Sequence, residues 1–414
     1  MTAARSVFME TTPRTTLVES VSRAGLLISF VTLAAVLTAH AQENNGLAPE
    51  VADLSASAVS FALEAKLPDL AQAYLSVAPT EMRDGIPVGV LGQTAGDKEA
   101  ILKFAQEIDA GQHGEIDSLL IAQHGILLFE SYFRRGRINY PHYQMSIAKS
   151  YTAMAIGRAI QLGYLSMADL DKPVVSFLKG IDQAKIVAGA AAITLSQAMT
   201  MSSGIQIDDA KVQELMKQPV ALKGLGQIQA YLDHSATIPA PPRKFKYQSS
   251  DPAMTMQVLD AVVPGTAQEF IKKEMFGKMG ITNFQWETDV SGLPKSAAGS
   301  AVRSRDMLKW GLLILAKGKW QGEQLIPAPF VDRATSPLVQ SWGKTHYGYF
   351  WWSEDFKVGE KTWHCIEGRG AGGQFIFMFP ELDLIAVFTA HHKGMGTMIA
   401  TGPNRLVPAF IPKH

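Results

Sequence analysis

The sequence predicts an α+β fold in which strand-forming segments near both ends of the chain flank a mainly helical middle. Two pairs of apolar, β-rich runs, within residues 116–133 and 374–389, predict hairpins. Between them, helical periodicity and loops dominate from about residue 155 to 300. The 414 residues, 47% of them hydrophobic, can bury a large core as one large domain or two.

The first 41 residues predict a signal peptide. Basic residues precede an apolar run from Ala24 to Leu37, and the small residues Ala39 and Ala41 suit cleavage before Gln42. An uncleaved membrane anchor is the alternative, but 14 residues are few for a hydrocarbon layer of ~30 Å. We therefore expect a periplasmic or secreted protein that keeps no stable membrane span after cleavage.

The mature chain is expected to begin with an N-terminal extension, residues 42–115, made of helical pieces and loops. Residues 116–414 then form the main domain. The hairpin that opens it is predicted from Ile116 to Gln123 and from Ile126 to Phe133, with His124 in the turn.

Composition excludes several classes of partner and cofactor. Basic and acidic residues both number 38, so the net charge is zero and no basic stripe indicates nucleic acid. Cys365 is the single cysteine, which rules out an intramolecular disulfide. Neither H-E-x-x-H nor C-x-x-C spacing occurs, so we expect no metal and no cofactor.

Ser146 and Lys149 are the candidate catalytic pair. Apolar residues recur at helical period from Met154 to Leu162, which predicts a helix that begins near Ser146. Residues i and i+3 share a helix face, so a nucleophilic hydroxyl would lie beside an amine that can act as a base. The unpaired N–H groups of the first turn could also stabilise an oxyanion.

The S-x-x-K pattern is short and occurs three times, at Ser146, Ser176 and Ser341. In most proteins such a pattern is a helix-start serine followed by a solvated lysine. Only the Ser146 copy is followed by an apolar helix, whereas the Ser176 copy stops at Gly180 and the Ser341 copy resembles a loop. The setting therefore favours Ser146.

Further along the chain, Thr194 and Gln197 have capping-box spacing at a helix start. A proline-rich loop then leads to Tyr247 and Ser249, followed by an apolar helix; such a loop can present a side chain to a cleft. A half-buried core residue is the alternative for Tyr247.

Near the end, a helix is predicted from Ala301 to Lys317 and an aromatic strand from Tyr347 to Trp352. Strands from Gln374 to Phe379 and from Leu384 to Thr389 form the last hairpin. The glycines between Gly368 and Gln374 would let a strand backbone approach a ligand closely.

Three motifs in this order resemble those of the serine β-lactamase and penicillin-binding superfamily: Ser146-x-x-Lys149, Tyr247-x-Ser249 and the glycine-rich strand near Gly370. The chain is most similar to the class C β-lactamase-like branch, with its esterases, D-aminopeptidases and 6-aminohexanoate-dimer hydrolases. The likeness spans about Asp117 to Ala390. It also includes Leu195 to Gly204, Ser304 to Met307 and the Pro-Glu-Leu-Asp turn of the last hairpin.

This resemblance implies a β-lactamase/transpeptidase-like fold: an antiparallel sheet flanked by helices, plus a helical domain. It implies Ser146 as the acylated nucleophile, Lys149 as its proton acceptor and Tyr247 as the group that passes the proton on. The backbone N–H groups of Ser146 and Ala371 would form the oxyanion hole. Ser249, Gly370 and Trp351 are the predicted substrate-binding residues.

The sequence departs from the penicillin-recognising members, which carry K-T-G or H-T-G on the last active-site strand to bind a substrate carboxylate. Here Arg369, Gly370 and Ala371 stand at this point. Arg369 could supply the charge, or it could face solvent. The departure favours an esterase or amidase that acts on a small molecule.

Two alternatives remain open at this point. One is a β-lactamase or a D-Ala-D-Ala carboxypeptidase. The other is an inactive periplasmic binding protein with the same fold, which would have no evident use for an amine beside a serine. A G-x-S-x-G elbow is absent from the sequence, which argues against an α/β-hydrolase triad.

Overall fold

The computed structural model describes residues 48–51, 59–392 and 396–411, and the predicted signal peptide lies outside them. The strands are β1 (Tyr74–Ser76), β2 (Ile116–Gln123), β3 (Ile126–Tyr132), β4 (His142–Tyr143), β5 (Phe284–Trp286), β6 (Ser300–Val302), β7 (Lys319–Trp320), β8 (Glu323–Gln324), β9 (Val339–Gln340), β10 (His346–Tyr347), β11 (Trp352–Val358), β12 (Lys361–Gly370), β13 (Gln374–Phe379) and β14 (Leu384–Ala390).

The helices are α1 (Phe61–Glu64), α2 (Lys98–Asp109), α3 (Ile147–Gln161), α4 (Leu195–Met199), α5 (Asp209–Met216), α6 (Gly226–His234), α7 (Ser250–Val262), α8 (Ala267–Phe270), α9 (Ser304–Leu315), α10 (Ala328–Thr335) and α11 (Gly396–Phe410). A π-helical turn, Ile271–Gly277, continues α8. Short 3₁₀ turns lie at Met167–Asp171, Val174–Ser176, Ala190–Ala192 and Pro380–Leu382.

Nine of these strands form one antiparallel sheet in the order β1-β3-β2-β14-β13-β12-β11-β10-β9. The two hairpins predicted from the sequence, β2–β3 and β13–β14, lie side by side because β14 pairs with β2. N-terminal and C-terminal strands thus build the same sheet. This confirms the predicted α+β class.

Both faces of the sheet are covered, which explains why every residue of β2, β13 and β14 is buried. One core contains α2 and α11, which pack against each other. The other core contains α3, α7 and α9, and α9 contacts β2, β13 and β14. The predicted N-terminal extension is integrated here, since β1 pairs with β3 and α2 covers the sheet.

The segment between α3 and β5 is helical, with α7 packed against α3, α4 and α6. The capping box predicted at Thr194 is confirmed: its hydroxyl accepts the N–H of Gln197, and the Gln197 side chain accepts the N–H of Thr194. These contacts fix the start of α4 beside the segment that carries Tyr247.

Two sequence predictions were wrong in detail. The helix expected from Ala301 begins only at Ser304, because Ser300–Val302 pairs as β6 with β4 and β5. The aromatic run from Tyr347 to Trp352 is two strand ends rather than one strand. Phe350 has a φ of 59° and turns the chain between β10 and β11.

The residues described here belong to one compact unit. Within the described ranges, no helix combines the length and the hydrophobicity needed to cross a membrane.

Candidate active site

Ser146 lies at the N-terminus of α3, as the sequence predicts. Met145 before it has a φ of 49°, in the left-handed region that is uncommon for a residue with a Cβ. This turn directs the chain from β4 into the helix. The Ser146 hydroxyl makes no capping hydrogen bond to the first turn, so its oxygen is available for chemistry.

Lys149 lies one helical turn further on and is 3% exposed. Its Nζ donates to Ser146 Oγ at 3.0 Å and to the carbonyl oxygen of Ala297 at 2.6 Å. Burial lowers the pKa of Lys149 from 10.5 to about 7. Among the described residues, no charged neighbour contributes to this decrease. A neutral amine is therefore accessible near neutral pH, as a general base requires.

Tyr247 completes the predicted triad. The Lys149 Nζ lies 4.7 Å from the centroid of its ring. Burial raises the pKa of Tyr247, and a hydrogen bond with Ser146 partly opposes that increase. The structure thus brings the three predicted side chains together, and a proton can pass among hydroxyl, amine and phenol.

The segment that carries Tyr247 is held by buried polar contacts. Asp251, in the first turn of α7, accepts hydrogen bonds from Ser203 Oγ and Gln248 Nε2, both at 2.7 Å. The Lys246 N–H donates to the carbonyl oxygen of Met201 at 2.8 Å. Burial raises the pKa of Asp251 to about 6, although its hydrogen bonds favour the ionised form. The Met-Ser-Ser-Gly stretch after α4 therefore positions Tyr247.

An aromatic cluster surrounds Tyr247 and consists of Phe245, Trp342, Tyr347 and Trp352. Trp342 is 58% exposed, and its ring centroid lies 5.9 Å from that of Tyr247. Trp351, which the sequence suggested for substrate binding, is fully buried in the core instead. The next residue, Trp352, contacts Tyr247 in the aromatic cluster instead. The turn at Phe350 accounts for this difference, because it places the Trp351 side chain in the core.

Gly370, the last residue of β12, packs against the backbone just before the nucleophile. A side chain at Gly370 would collide with the carbonyl oxygen of Gln144, two residues before Ser146. This close approach explains the glycine. Ala371 follows in the exposed turn between β12 and β13. The end of β12, and with it the predicted strand donor Ala371, therefore lies next to the chain that leads into Ser146.

Arg369 neither faces solvent nor has a free charge. It is 8% exposed and pairs through Nε with Glu367 at 2.6 Å and through Nη2 with Glu354 at 2.9 Å. Its guanidinium carbon also lies 5.2 Å from the centroid of the Trp352 ring. Because two carboxylates already neutralise Arg369, it is a poor partner for a substrate carboxylate.

Two cavities adjoin the triad, and Ser249 lines both of them. The first, of about 370 Å³, extends from Ser249 to Ala297, whose carbonyl oxygen accepts from Lys149. The second, of about 310 Å³, also includes Tyr247. Ser249 itself is exposed at the start of α7. Its role in substrate binding stays a prediction.

The other two S-x-x-K copies do not form such a pair. Ser176 is exposed and donates to the carbonyl oxygen of Pro173 at 2.6 Å. Ser341 donates to the carbonyl oxygen of Thr345 at 2.8 Å. Their lysines, Lys179 and Lys344, are exposed. Sequence reasoning missed the Ala297 carbonyl and the Trp342 ring, because neither carries a local motif.

Buried Lys149 and the partly buried side chains of Ser146 and Tyr247 meet at the start of α3, beside the antiparallel sheet, where a hydroxyl can act as a nucleophile and an amine as its base. The chain belongs to the Beta-lactamase family, whose model matches residues 117–406. No curated protein matches the chain significantly.

Solved structures share the fold at low sequence identity. A protein from Bacillus anthracis, provisionally assigned as a 6-aminohexanoate-dimer hydrolase, is 17% identical with a TM-score of 0.60, over 80% of this chain and 89% of that one. A beta-lactamase/D-alanine carboxypeptidase from Pseudomonas syringae is 13% identical with a TM-score of 0.59, over 76% and 99%. A penicillin-binding protein from Bacillus halodurans is 18% identical with a TM-score of 0.54, over 72% and 98%.

Proposed function

We propose that this protein is an exported serine hydrolase that cleaves small esters or amides through an acyl-enzyme on Ser146. The main support for this proposal is the 3.0 Å hydrogen bond between buried Lys149 and the Ser146 hydroxyl. The same amine lies over the ring of Tyr247. Export rests on the sequence of the first 41 residues.

The proposed reaction begins when Ser146 Oγ attacks the substrate carbonyl carbon and its proton moves to neutral Lys149. The N–H groups of Ser146 and Ala371 stabilise the oxyanion. The carbon–oxygen or carbon–nitrogen bond then breaks, and the leaving group takes the proton from Lys149 through the Tyr247 phenol. Water attacks the acyl-enzyme, gives its proton to Lys149, and the acid leaves as Ser146 regains its proton.

We further propose that neutral substrates are preferred over carboxylates. Arg369 is paired with Glu367 and Glu354, so the strand offers no uncompensated charge to a penicillin or a D-Ala-D-Ala peptide. The binding of a neutral acyl group does not need such a charge, so its affinity is not reduced. The exposed ring of Trp342 beside Tyr247 adds an apolar surface for such a group.

The first experiment maps a fluorophosphonate probe on the purified protein. We expect a single adduct on Ser146 and loss of both labelling and esterase activity in Ser146→Ala. Ser176→Ala and Ser341→Ala are matched controls, since both serines have the same S-x-x-K pattern. An adduct on Ser176 or Ser341, or full activity in Ser146→Ala, contradicts the proposal.

The same preparation is tested with a short-chain p-nitrophenyl ester, a short amide and nitrocefin. We expect kcat/KM for the ester to exceed that for nitrocefin. The opposite ranking would favour a β-lactamase. Labelling of Ser146 without any turnover would favour the binding-protein alternative.

A further inference from the structure

Helix α1 lies before the segment that matches the family model, yet it reaches the candidate active site. Glu64 at its end is 1% exposed, and its carboxylate accepts the backbone N–H of Tyr143. Tyr143 ends β4, three residues before Ser146. The contact therefore fixes the strand from which the turn at Met145 presents the nucleophile.

The other end of α1 contacts the opposite half of the site. A Cβ atom at Gly372 would lie 2.7 Å from the Phe61 ring, so this ring packs directly against the glycine. Gly372 follows Ala371 in the turn between β12 and β13. The Gly372 carbonyl oxygen also accepts the N–H of His392 at 2.9 Å. Phe61 thus covers the turn that presents the second oxyanion donor.

His391 ties these two contacts to the sheet. Its ring stacks on Phe61 with centroids 4.3 Å apart. Its Nδ1 lies 2.8 Å from Asp117 Oδ2 in β2, and its Nε2 lies 3.1 Å from Glu64 Oε2 and 3.2 Å from the Phe61 carbonyl oxygen. Asp117 in turn pairs with Arg135 at 3.1 Å. The helix is thereby anchored to Asp117 on β2 and to His391, which directly follows β14.

The charges of this network support an ion pair. Burial raises the pKa of Glu64 to about 7, despite the opposing contact with His391. Burial alone would lower the pKa of His391, but the neighbouring carboxylates of Asp117 and Glu64 raise it to about 9. Between these values Glu64 is ionised and His391 is protonated. The attraction between the two charges then holds α1 against the site.

We propose that α1 clamps the two halves of the oxyanion hole together, with Glu64 as a positioning residue for the Ser146 donor and Phe61 for the Ala371 donor. This inference rests on the proposed function. It assigns the N-terminal extension a role in catalysis: without α1, the two N–H groups would no longer converge on one oxygen. Since loss of one oxyanion donor costs about 10²–10³-fold in kcat, partial misplacement is expected to cost less.

The experiment compares Glu64→Ala, Glu64→Gln and Phe61→Ala with Leu63→Ala, a control on the exposed side of the same helix. We expect Glu64→Ala to lower kcat by roughly 10–100-fold with little change in KM, since the lost interaction acts in the transition state. Glu64→Gln should recover part of the rate, because its amide oxygen can still accept the Tyr143 N–H. Leu63→Ala should match the parent.

Hydrogen–deuterium exchange tests the clamp without activity. We expect faster exchange in peptides covering 143–149 and 368–374 in Glu64→Ala and Phe61→Ala, but not in Leu63→Ala. Unchanged exchange in both segments overturns the clamp, as does normal kcat in a folded Glu64→Ala. If Glu64→Ala fails to fold, Phe61→Ala decides, because it removes no buried charge. If the parent protein lacks turnover, the proposed function fails while the exchange result still decides whether α1 is a clamp.

Discussion

At the scale of single residues, the protonation state of Lys149 determines which chemistry the candidate site can perform. An ordinary lysine is protonated at neutral pH and cannot accept a proton from a serine. Burial changes this by lowering the pKa of Lys149 to about 7, with the amine held between Ser146 Oγ and the Ala297 carbonyl oxygen. Since desolvation disfavours the charged form, no neighbouring cation is needed to produce the base.

The proposed hydrolase activity should therefore follow the neutral form of Lys149. We expect kcat/KM for a p-nitrophenyl ester to rise with pH, about tenfold per unit below pH 7, and to level off above it. A pH profile from 5 to 9 measures this. Lys149→Arg, which stays protonated throughout, should be inactive over the whole range. A rate that falls between pH 6 and 8 would show that another group titrates.

Sequence reasoning located Ser146, Lys149 and Tyr247 because each belongs to a motif with a local setting. It selected Trp351 rather than Trp352 because two adjacent aromatics cannot be assigned to opposite sides without the backbone. Phe350 at a φ of 59° makes that choice. Glu64 and His391 could not be found, since their contact joins residues far apart in the chain.

At the scale of elements, β12 holds the ion pairs that make Arg369 unavailable to a substrate carboxylate. Residues i and i+2 of a strand share a face, so Glu367 and Arg369 can pair there. Glu367 is fully buried, and burial raises its pKa although Arg369 opposes this. Arg369 is therefore paired within the protein and is not available to a substrate carboxylate.

Removing Arg369 should damage stability more than chemistry. Arg369→Ala leaves Glu367 buried without its partner, which costs about 3–5 kcal/mol. Replacing both, as Glu367→Gln with Arg369→Met, should recover most of the lost free energy of unfolding. Urea unfolding of the two variants and the parent measures this.

Turnover of the same variants tests the substrate class. We expect the double variant to keep the ester rate within a few-fold of the parent. A stable Arg369→Ala that loses cephalosporin turnover alone would show that Arg369 binds a carboxylate, and would move the assignment to a β-lactamase.

The helices and strands that could be predicted from the sequence are those with a strong local sequence pattern. The hairpins β2–β3 and β13–β14 were predictable because apolar runs surround polar turns. Ala301 and Val302 were predicted as the start of a helix because they continue the apolar pattern of α9; the pairing of β6 with β4 and β5 depends on distant partners. Non-local pairing overrides the local pattern there.

At the scale of the whole molecule, the buried amine carries a cost in stability. The folded-state pKa of Lys149, about 7, lies below its unfolded value of 10.5. The unfolded chain therefore binds the proton more readily than the folded protein. The penalty is fully present below pH 7 and fades as pH rises toward 10.5. Catalytic sites often lower stability in this manner.

Lys149→Met tests this cost, because methionine is similar in length and cannot be charged. We expect its melting temperature, relative to the parent, to be highest below pH 7 and to decline as pH rises toward 10. The lost hydrogen bond to the Ala297 carbonyl lowers stability by a similar amount at each pH, so the slope of the difference is the measurement that matters. Groups present in both proteins, including Glu64 and His391, largely cancel in that difference. Lys344→Met, at an exposed lysine, is the matched control. A difference between Lys149→Met and the parent that grows with pH would contradict the lowered pKa of Lys149.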